Sequence, residues 1–533
     1  MDLILKNGKI VILDKLNTIT EAIAIKDGAI FSFGKNEDIL KLKTEKTKII
    51  DLNKKLTLPG FNESHMHLLN YGYTKQKLIL NNCKSIEDLI VYGKEFILKK
   101  NITQGKWLLG RGWNQDYFHT KKFPTKEDLD KISIHHPLCY TRGCGHIAVA
   151  NSAAMALLEE NLGIHDENID FETGMFKESA LEILYGMIDA PSVEDIKNML
   201  KDAIKDIIKS GITSVQTDDF DAMPDRDFKK VLKAYEELIE EDHLPVRIYE
   251  QCLLPKKDDF KEFLDLGYRT GFGDTNFKIG PLKLLMDGSL GARTALLCHG
   301  YNDDPSTLGI SAYTQDALDD MVNLAHKNHM QIAIHAIGDK AIYMCLDSFK
   351  KANEHLERKD ARHGIVHCQI TDETILNRMA DENILAYIQP IFIDYDMHIV
   401  EDRIGVLKSK KTYNWKSMIR KGIKIAGGSD APVVSFNIFE NMYSAITRKD
   451  LSGSPHNGWL PEEKLTVDEA VRLFTIDGAY ASFEEDIKGN LEIGKLADIV
   501  VLSEDIYEIE EDKIKDVEAL MTIIGGKIVY EKK

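Results

Sequence analysis

The chain has 533 residues, 43% of them hydrophobic, enough to build a large buried core rather than a disordered chain. Its 86 acidic against 68 basic residues give a formal net charge of −18, which argues against nucleic acid and anionic membranes as partners and says little about fold. Residues 1–8, Met1-Asp2-Leu3-Ile4-Leu5-Lys6-Asn7-Gly8, lack the basic region and long apolar run of a signal peptide. No apolar stretch approaches the ~18 residues of a membrane span, and the seven dispersed cysteines read as reduced thiols. The expectation is a cytoplasmic protein that acts on a small molecule.

In chain order, residues 3–5 and 10–12 flank Asn7-Gly8, and residues 22–25 and 29–33 flank Asp27-Gly28; both dipeptides are hairpin signals. An apolar run ends at Leu58 and leads into Pro59-Gly60-Phe61-Asn62-Glu63-Ser64-His65-Met66-His67. Side chains alternate along a strand, so His65 and His67 share a face and can grip one cation. The plainer reading is two polar residues on a half-buried strand.

The next barrel-like unit comes only at a helix with apolar Ile196, Met199, Leu200, Ala203, Ile204, Ile207 and Ile208, which stops at Gly211 before the strand Ile212-Thr213-Ser214-Val215. The intervening chain, about 72–185, is too long for one βα crossover and is read as an inserted α+β subdomain, a lid over the site. Within it Trp113 offers a flat apolar surface and His146 a hydrogen bond to substrate, with Glu178 a weaker candidate. Packing in the core and a capping role are the plainer readings. The pair His135-His136 and the remaining scattered histidines read as solvated surface.

Lys283 interrupts the apolar run Ile279-Gly280-Pro281-Leu282-Lys283-Leu284-Leu285-Met286. A buried ammonium needs a partner, and the neighbouring carboxylate Asp287 is one choice. Chemistry offers another, because a neutral desolvated lysine can react with carbon dioxide to give a carbamate whose two oxygens can bridge two cations. Arg293 follows as a charged fork for a carboxylate or carbonyl, or as a partner of Asp287.

Thr314 is a plausible N-cap for an amphipathic helix carrying Leu318, Met321, Val322 and Ala325, which feeds the strand Gln331-Ile332-Ala333-Ile334-His335. Ile365-Val366-His367 and Lys424-Ile425-Ala426-Gly427-Gly428-Ser429-Asp430 are two more short apolar runs ending in a ligand type. His335 and His367 are 32 residues apart and Asp430 lies 63 further on, about one and two βα units. Active sites of (β/α)8 barrels are built from the C-terminal ends of several strands. Gln389-Pro390 is a weaker substrate-reading candidate. Cys368, beside His367, should alternate away from it if the strand extends that far. At the end, residues 521–524 and 527–530 flank Gly525-Gly526 as another hairpin.

The order His-x-His, Lys, His, His, Asp, with Gly110-Arg111-Gly112-Trp113, Gly145-His146-Ile147-Ala148-Val149-Ala150-Asn151-Ser152, Gly174-Met175-Phe176-Lys177-Glu178 and His335-Ala336-Ile337-Gly338-Asp339, resembles the amidohydrolase superfamily. So do Gly428-Ser429-Asp430-Ala431-Pro432 and Gly489-Asn490-Leu491-Glu492-Ile493-Gly494-Lys495-Leu496-Ala497-Asp498. The group it resembles is the metal-dependent amidohydrolases that include N-substituted formamide deformylases (amidohydrolase family 3), over nearly the whole chain. Glu63 stands where many relatives carry Asp, and Asn62 where an aliphatic is usual; neither is a ligand.

The resemblance implies an α/β (β/α)8 TIM-like barrel over 59–488, with a small β-sandwich formed from both chain ends, 1–58 and 489–533. It implies one or two divalent metal ions, zinc foremost: His65, His67 and Asp430 on the first, His335 and His367 on the second, and carboxylated Lys283 bridging both. Metal binding lowers the pKa of water from 15.7 towards about 7, so hydroxide is available to attack a carbonyl. Asp430 would then shuttle the proton to the leaving nitrogen. The implied reaction is hydrolysis of a C–N bond in an N-acyl, N-formyl or related amide. Hydrolytic deamination, ester or lactone cleavage, and a non-catalytic scaffold stay open, and a homodimer is the commonest closed assembly.

Overall fold

The computed structural model describes residues 1–144, 146–161, 166–178 and 180–533, with the backbone alone for 159–161. Gly145, which opens one of the motifs above, lies outside the described residues. The chain divides into two compact units, residues 1–70 with 200–533, and residues 71–199.

Eight parallel strands form the centre of the larger unit: β1 (Phe61–Met66), β2 (Ile212–Thr217), β3 (Arg247–Leu253), β4 (Phe277–Leu285), β5 (Ile332–Ala336), β6 (Gly364–His367), β7 (Leu385–Ile388) and β8 (Ile425–Gly427). They pair in chain order. The sheet curls into a nearly closed barrel, because just past β8 the Asp430 N–H donates to the His65 carbonyl and the His67 N–H to the Ala431 carbonyl, both at 2.8 Å. Every residue of β2 and β3 is buried, as in a parallel sheet covered on both faces.

Local sequence explains the connecting elements. Thr314 caps the helix Gln315–Lys327, its side chain accepting from the Ala317 N–H, and the stripe Leu318, Met321, Val322 and Ala325 is buried. The helix Val193–Ile207 ends through a short 3-10 turn at Gly211, whose φ of 81° favours glycine. A side chain there would also strike Val500, since a Cβ would lie 2.5 Å from its Cγ2.

The chain ends build two further sheets. One has the order Ala29–Gly34, Ala22–Lys26, Leu3–Lys6, Lys48–Asp51, and the other Lys527–Glu531, Ala519–Ile524, Ile499–Leu502, Leu56–Pro59, Lys9–Val11, Ile19–Thr20. Leu5 and Ile23 of the first and Ile10, Ile499 and Ile523 of the second share one apolar cluster. Asp27-Gly28 and Gly525-Gly526 do turn hairpins, with positive φ at all four residues. Asn7-Gly8 does not: the strands on either side of it belong to different sheets, so this turn passes the chain from one sheet to the other.

The smaller unit has a six-stranded sheet, ordered Ile169–Asp170, Met175–Lys177, Ile147–Ala150, Leu138–Arg142, Leu108–Trp113, Leu78–Ile79, with the helix Ile86–Lys100 held by a Ser85 capping box. Among the described residues no helix is long and apolar enough to cross a membrane.

Candidate metal centre

At the C-terminal end of β1, His65 is 1% exposed. Its Nδ1 lies 2.9 Å from the Gln251 amide oxygen. The Gln251 nitrogen donates to the Ser64 carbonyl, which orients that oxygen towards the imidazole and places the ring proton on Nδ1. Nε2 is left as a buried lone pair with no hydrogen-bond partner, although Asp430 Oδ1 stands 3.2 Å away. A lone pair facing a carboxylate at that distance is repulsive unless a cation lies between them. The donor atoms of His65, His67 and Asp430 all fall within 4.8 Å of one another, and His67 Nε2 is 3.0 Å from the same Asp430 oxygen.

The second pair of histidines sits across the barrel mouth. The His335 and His367 rings are edge to face with centroids 4.4 Å apart, and the His65 and His367 centroids are 5.9 Å apart. His367 Nδ1 lies 2.7 Å from the Gln389 amide oxygen, whose nitrogen donates to the Tyr387 carbonyl. His335 Nε2 is 3.1 Å from the Gly288 carbonyl and 3.4 Å from Asp287 Oδ1. Asp287 itself accepts the N–H groups of Leu296, Ile337 and Gly338. Gln389, read above as a possible contact for substrate, therefore orients His367.

Lys283 on β4 is 1% exposed and its partner is Asp218, 3.3 Å away, rather than Asp287. Asp218 also accepts a short hydrogen bond from His67 Nδ1. It is the first residue after β2, and the sequence reading missed it. The available signal was position: it occupies the strand end that the other ligand types occupy.

The electrostatics follow from this crowding. Burial would lower the His67 imidazolium, but Asp218 and Asp430 outweigh it and raise its pKa. Burial would likewise raise Asp218 and Asp430, and the facing histidines, with Lys283 beside Asp218, hold both down as carboxylates. His65 and His367 are lowered by burial, with neighbouring positive charge adding to it. Neutral imidazoles and ionised carboxylates are the forms that bind divalent metals, and a cation would replace the proton on His67. On these grounds the donor set fits a metal.

Backbone geometry supports the site. His367 and Asp430 have φ of 72° and 65°, left-handed values costing about 1–3 kcal/mol each for residues with a Cβ. Glu63 ties β1 to the β8 loop, accepting the N–H groups of His65 at 3.1 Å and Ser429 at 2.8 Å; burial pushes its pKa up to about 8. Gly428 leaves room for this approach, since a Cβ there would lie 2.6 Å from the His65 nitrogen.

A sequence model of the amidohydrolase family matches residues 48–530. The chain belongs to this family. It is 31% identical over 522 residues to YtcJ of Bacillus subtilis strain 168, a protein named as an amidohydrolase, with 96% of each chain covered. Against N-substituted formamide deformylase of Arthrobacter pascens the identity is 23% over 562 residues, covering 100% of this chain and 98% of that one. The crystal structure of a metal-dependent hydrolase of Pyrococcus furiosus aligns with a TM-score of 0.79 at 28% identity, covering 94% of this chain and 99% of that one.

The remaining expected residues of this amidohydrolase fall elsewhere. Trp113 is wholly enclosed in the core of the smaller unit, its Nε1–H donating to the Tyr140 carbonyl at 2.7 Å, so it packs and offers no face to a ligand. His146, in the same unit, is exposed and 3.1 Å from Glu178. Arg293 spends its fork on Asp303, at 2.8 and 3.1 Å, rather than on Asp287. Cys368 is buried with its thiol pushed up to about 12 by burial, unlike a reactive thiolate. Of the histidines read as surface, His136, His326 and His363 are buried.

Proposed function

We propose that this amidohydrolase cleaves a carbon–nitrogen bond in a small N-acyl, N-formyl or related amide. His65, His67 and Asp430 would hold one divalent cation, most simply zinc, and His335 and His367 a second, with Lys283 joining the two as a carbamate. The observation that carries the reading is the buried, partnerless Nε2 of His65 facing the Asp430 carboxylate. When bound, zinc supplies Lewis-acid polarisation of a carbonyl and makes water acidic enough to ionise near neutral pH.

The rest is work for the protein's own groups. Gln251, Asp218 and Gln389 fix the Nδ1 sides of His65, His67 and His367, so that each Nε2 is presented to the barrel mouth. Asp430, held as a carboxylate, is ready to accept the proton of the attacking water and to return it to the leaving nitrogen, without which an amine departs poorly. The amidohydrolase and formamide deformylase relatives support this choice of bond. We also read the two sheets at the chain ends as faces of one β-sandwich, and residues 71–199 as an insertion in the barrel.

The test is turnover of a panel of N-formyl and N-acyl amides by zinc-loaded protein, following release of amine. Cleavage that a chelator abolishes and zinc restores is expected. Cleavage of esters or ring amidines with no amide accepted would overturn the choice of bond.

A further inference from the structure

Close to His367 in the fold lies a polar pair, Gln369 and Asp396, that the chemistry above leaves unused. Phe392 stacks on the His367 ring, with centroids 5.6 Å apart at 16°. It ends the 3-10 turn Pro390–Phe392, which runs directly into the helical turn Ile393–Asp396. Residues four apart on such a run share a face, so Asp396 stands one turn beyond the ring that covers His367.

Asp396 is partly buried, and its Oδ2 accepts from the Tyr413 hydroxyl and, at 3.5 Å, from the Gln369 amide. Gln369 lies two residues past His367 and is 2% exposed; its amide oxygen is buried with no partner. Turning that amide over would set its oxygen against the carboxylate, so the orientation is fixed. Tyr413 clamps both residues, donating its hydroxyl to Asp396 and its N–H to the Gln369 carbonyl at 3.0 Å. Arg448 holds Tyr413 from behind, donating to its carbonyl at 3.1 Å from between the Trp415 and Trp459 rings.

The Gln369 amide oxygen therefore keeps an unspent lone pair beside the Asp396 carboxylate, and one N–H of the same amide is left over. Among the described residues Asp396 has no ion pair, and burial, opposed only by the Tyr413 hydrogen bond, raises its pKa to about 6. A desolvated carboxylate at neutral pH calls for a cation, and the free amide oxygen beside it calls for a donor; a primary ammonium supplies both.

We propose that Asp396 and Gln369 form a subsite that binds a primary ammonium group of the substrate, one helical turn beyond the Phe392 ring that covers His367. Its place in turnover rests on the amide-hydrolase reading; the binding it claims does not.

Isothermal titration of metal-loaded protein with n-butylammonium chloride, and with the uncharged isostere 1-butanol, reads the subsite without any bond being cleaved. The ammonium should bind at least about tenfold more tightly than the alcohol, the scale of one charge-assisted hydrogen bond. Asp396→Asn should lose at least about tenfold of that affinity while keeping wild-type metal content. Asp394→Asn, on the same turn but bonded to the Leu451 N–H, should keep it. Wild-type protein that binds both probes equally, or neither, overturns the subsite without reliance on any variant, and so does unchanged ammonium affinity in Asp396→Asn. Selective ammonium binding with no amide cleaved would leave the subsite standing and remove the proposed reaction instead.

Discussion

The two ends of strand β6 each carry a buried histidine, His363 just before it and His367 at its last residue. At the lower end every ring nitrogen has a partner. The Ile332 N–H donates to His363 Nδ1, His363 Nε2 meets His326 Nδ1 at 2.8 Å, and His326 Nε2 meets the Leu356 carbonyl at 2.7 Å. One chain of neutral tautomers satisfies all four nitrogens, and nothing is left over for a ligand. At the upper end the Nδ1 atoms of His65, His67 and His367 are tied down, while the Nε2 atoms of His65 and His67 converge on Asp430. Burial is common to both ends; the partnerless Nε2 of His65 distinguishes the candidate metal centre.

Substitutions at the two ends should therefore fail differently. The largest effect is expected at Asp430, where Asn should lower kcat by about 10²–10⁴-fold, the range of a lost proton-transfer group. Steady-state kinetics at matched metal content checks this, and a loss explained by metal content alone would remove the shuttle. Lys283→Ala should shed metal and activity together, with partial recovery of both in a short carboxylic acid that stands in for the proposed carbamate; full metal and full activity would rule out the bridge. Gln389→Ala, which frees the His367 ring, should weaken metal affinity by about 10–100-fold with the barrel intact, read by competition with a chelator.

The lower pair should give a pH effect without a metal effect. Burial holds both imidazoles below their ordinary pKa, His363 well below, so under about pH 6.5 the unfolded chain takes up protons that the fold refuses. The pair's contribution to stability is complete above that value and is lost as pH falls towards the lowered folded values. The double variant His326→Leu, His363→Phe should thus lose less Tm between pH 7.5 and 5.5 than the wild type does. An equal or larger loss would mean the pair is not the titrating element. The smallest effect is expected at Arg293→Ala: its solvent-screened pair with Asp303 should leave Tm nearly unchanged, and a large rise in KM would return Arg293 to substrate binding.

What could be read from sequence was local. His65 and His67 share a face by strand alternation, and His335, His367 and Asp430 close short apolar runs, so strand-end chemistry was visible one segment at a time. Asp218 was not, because its bond to His67 spans 151 residues and exists only once β1 and β2 are neighbours. The same limit applies to Lys283, whose burial was legible but whose partner was not. His326 and His363 looked like surface residues because each satisfies the other across 37 residues. Asn7-Gly8 turns the chain but not into the expected hairpin, because the strands on either side pair with Lys48–Asp51 and Leu56–Pro59 in different sheets.

Metal content per chain, measured by elemental analysis on protein purified without added metal or chelator, tests the central claim most directly. One to two equivalents of a divalent metal, zinc foremost, are expected, falling sharply in His65→Ala and unchanged in the double variant of the lower histidines. Folded wild-type protein that carries none and takes up no added zinc would contradict the account.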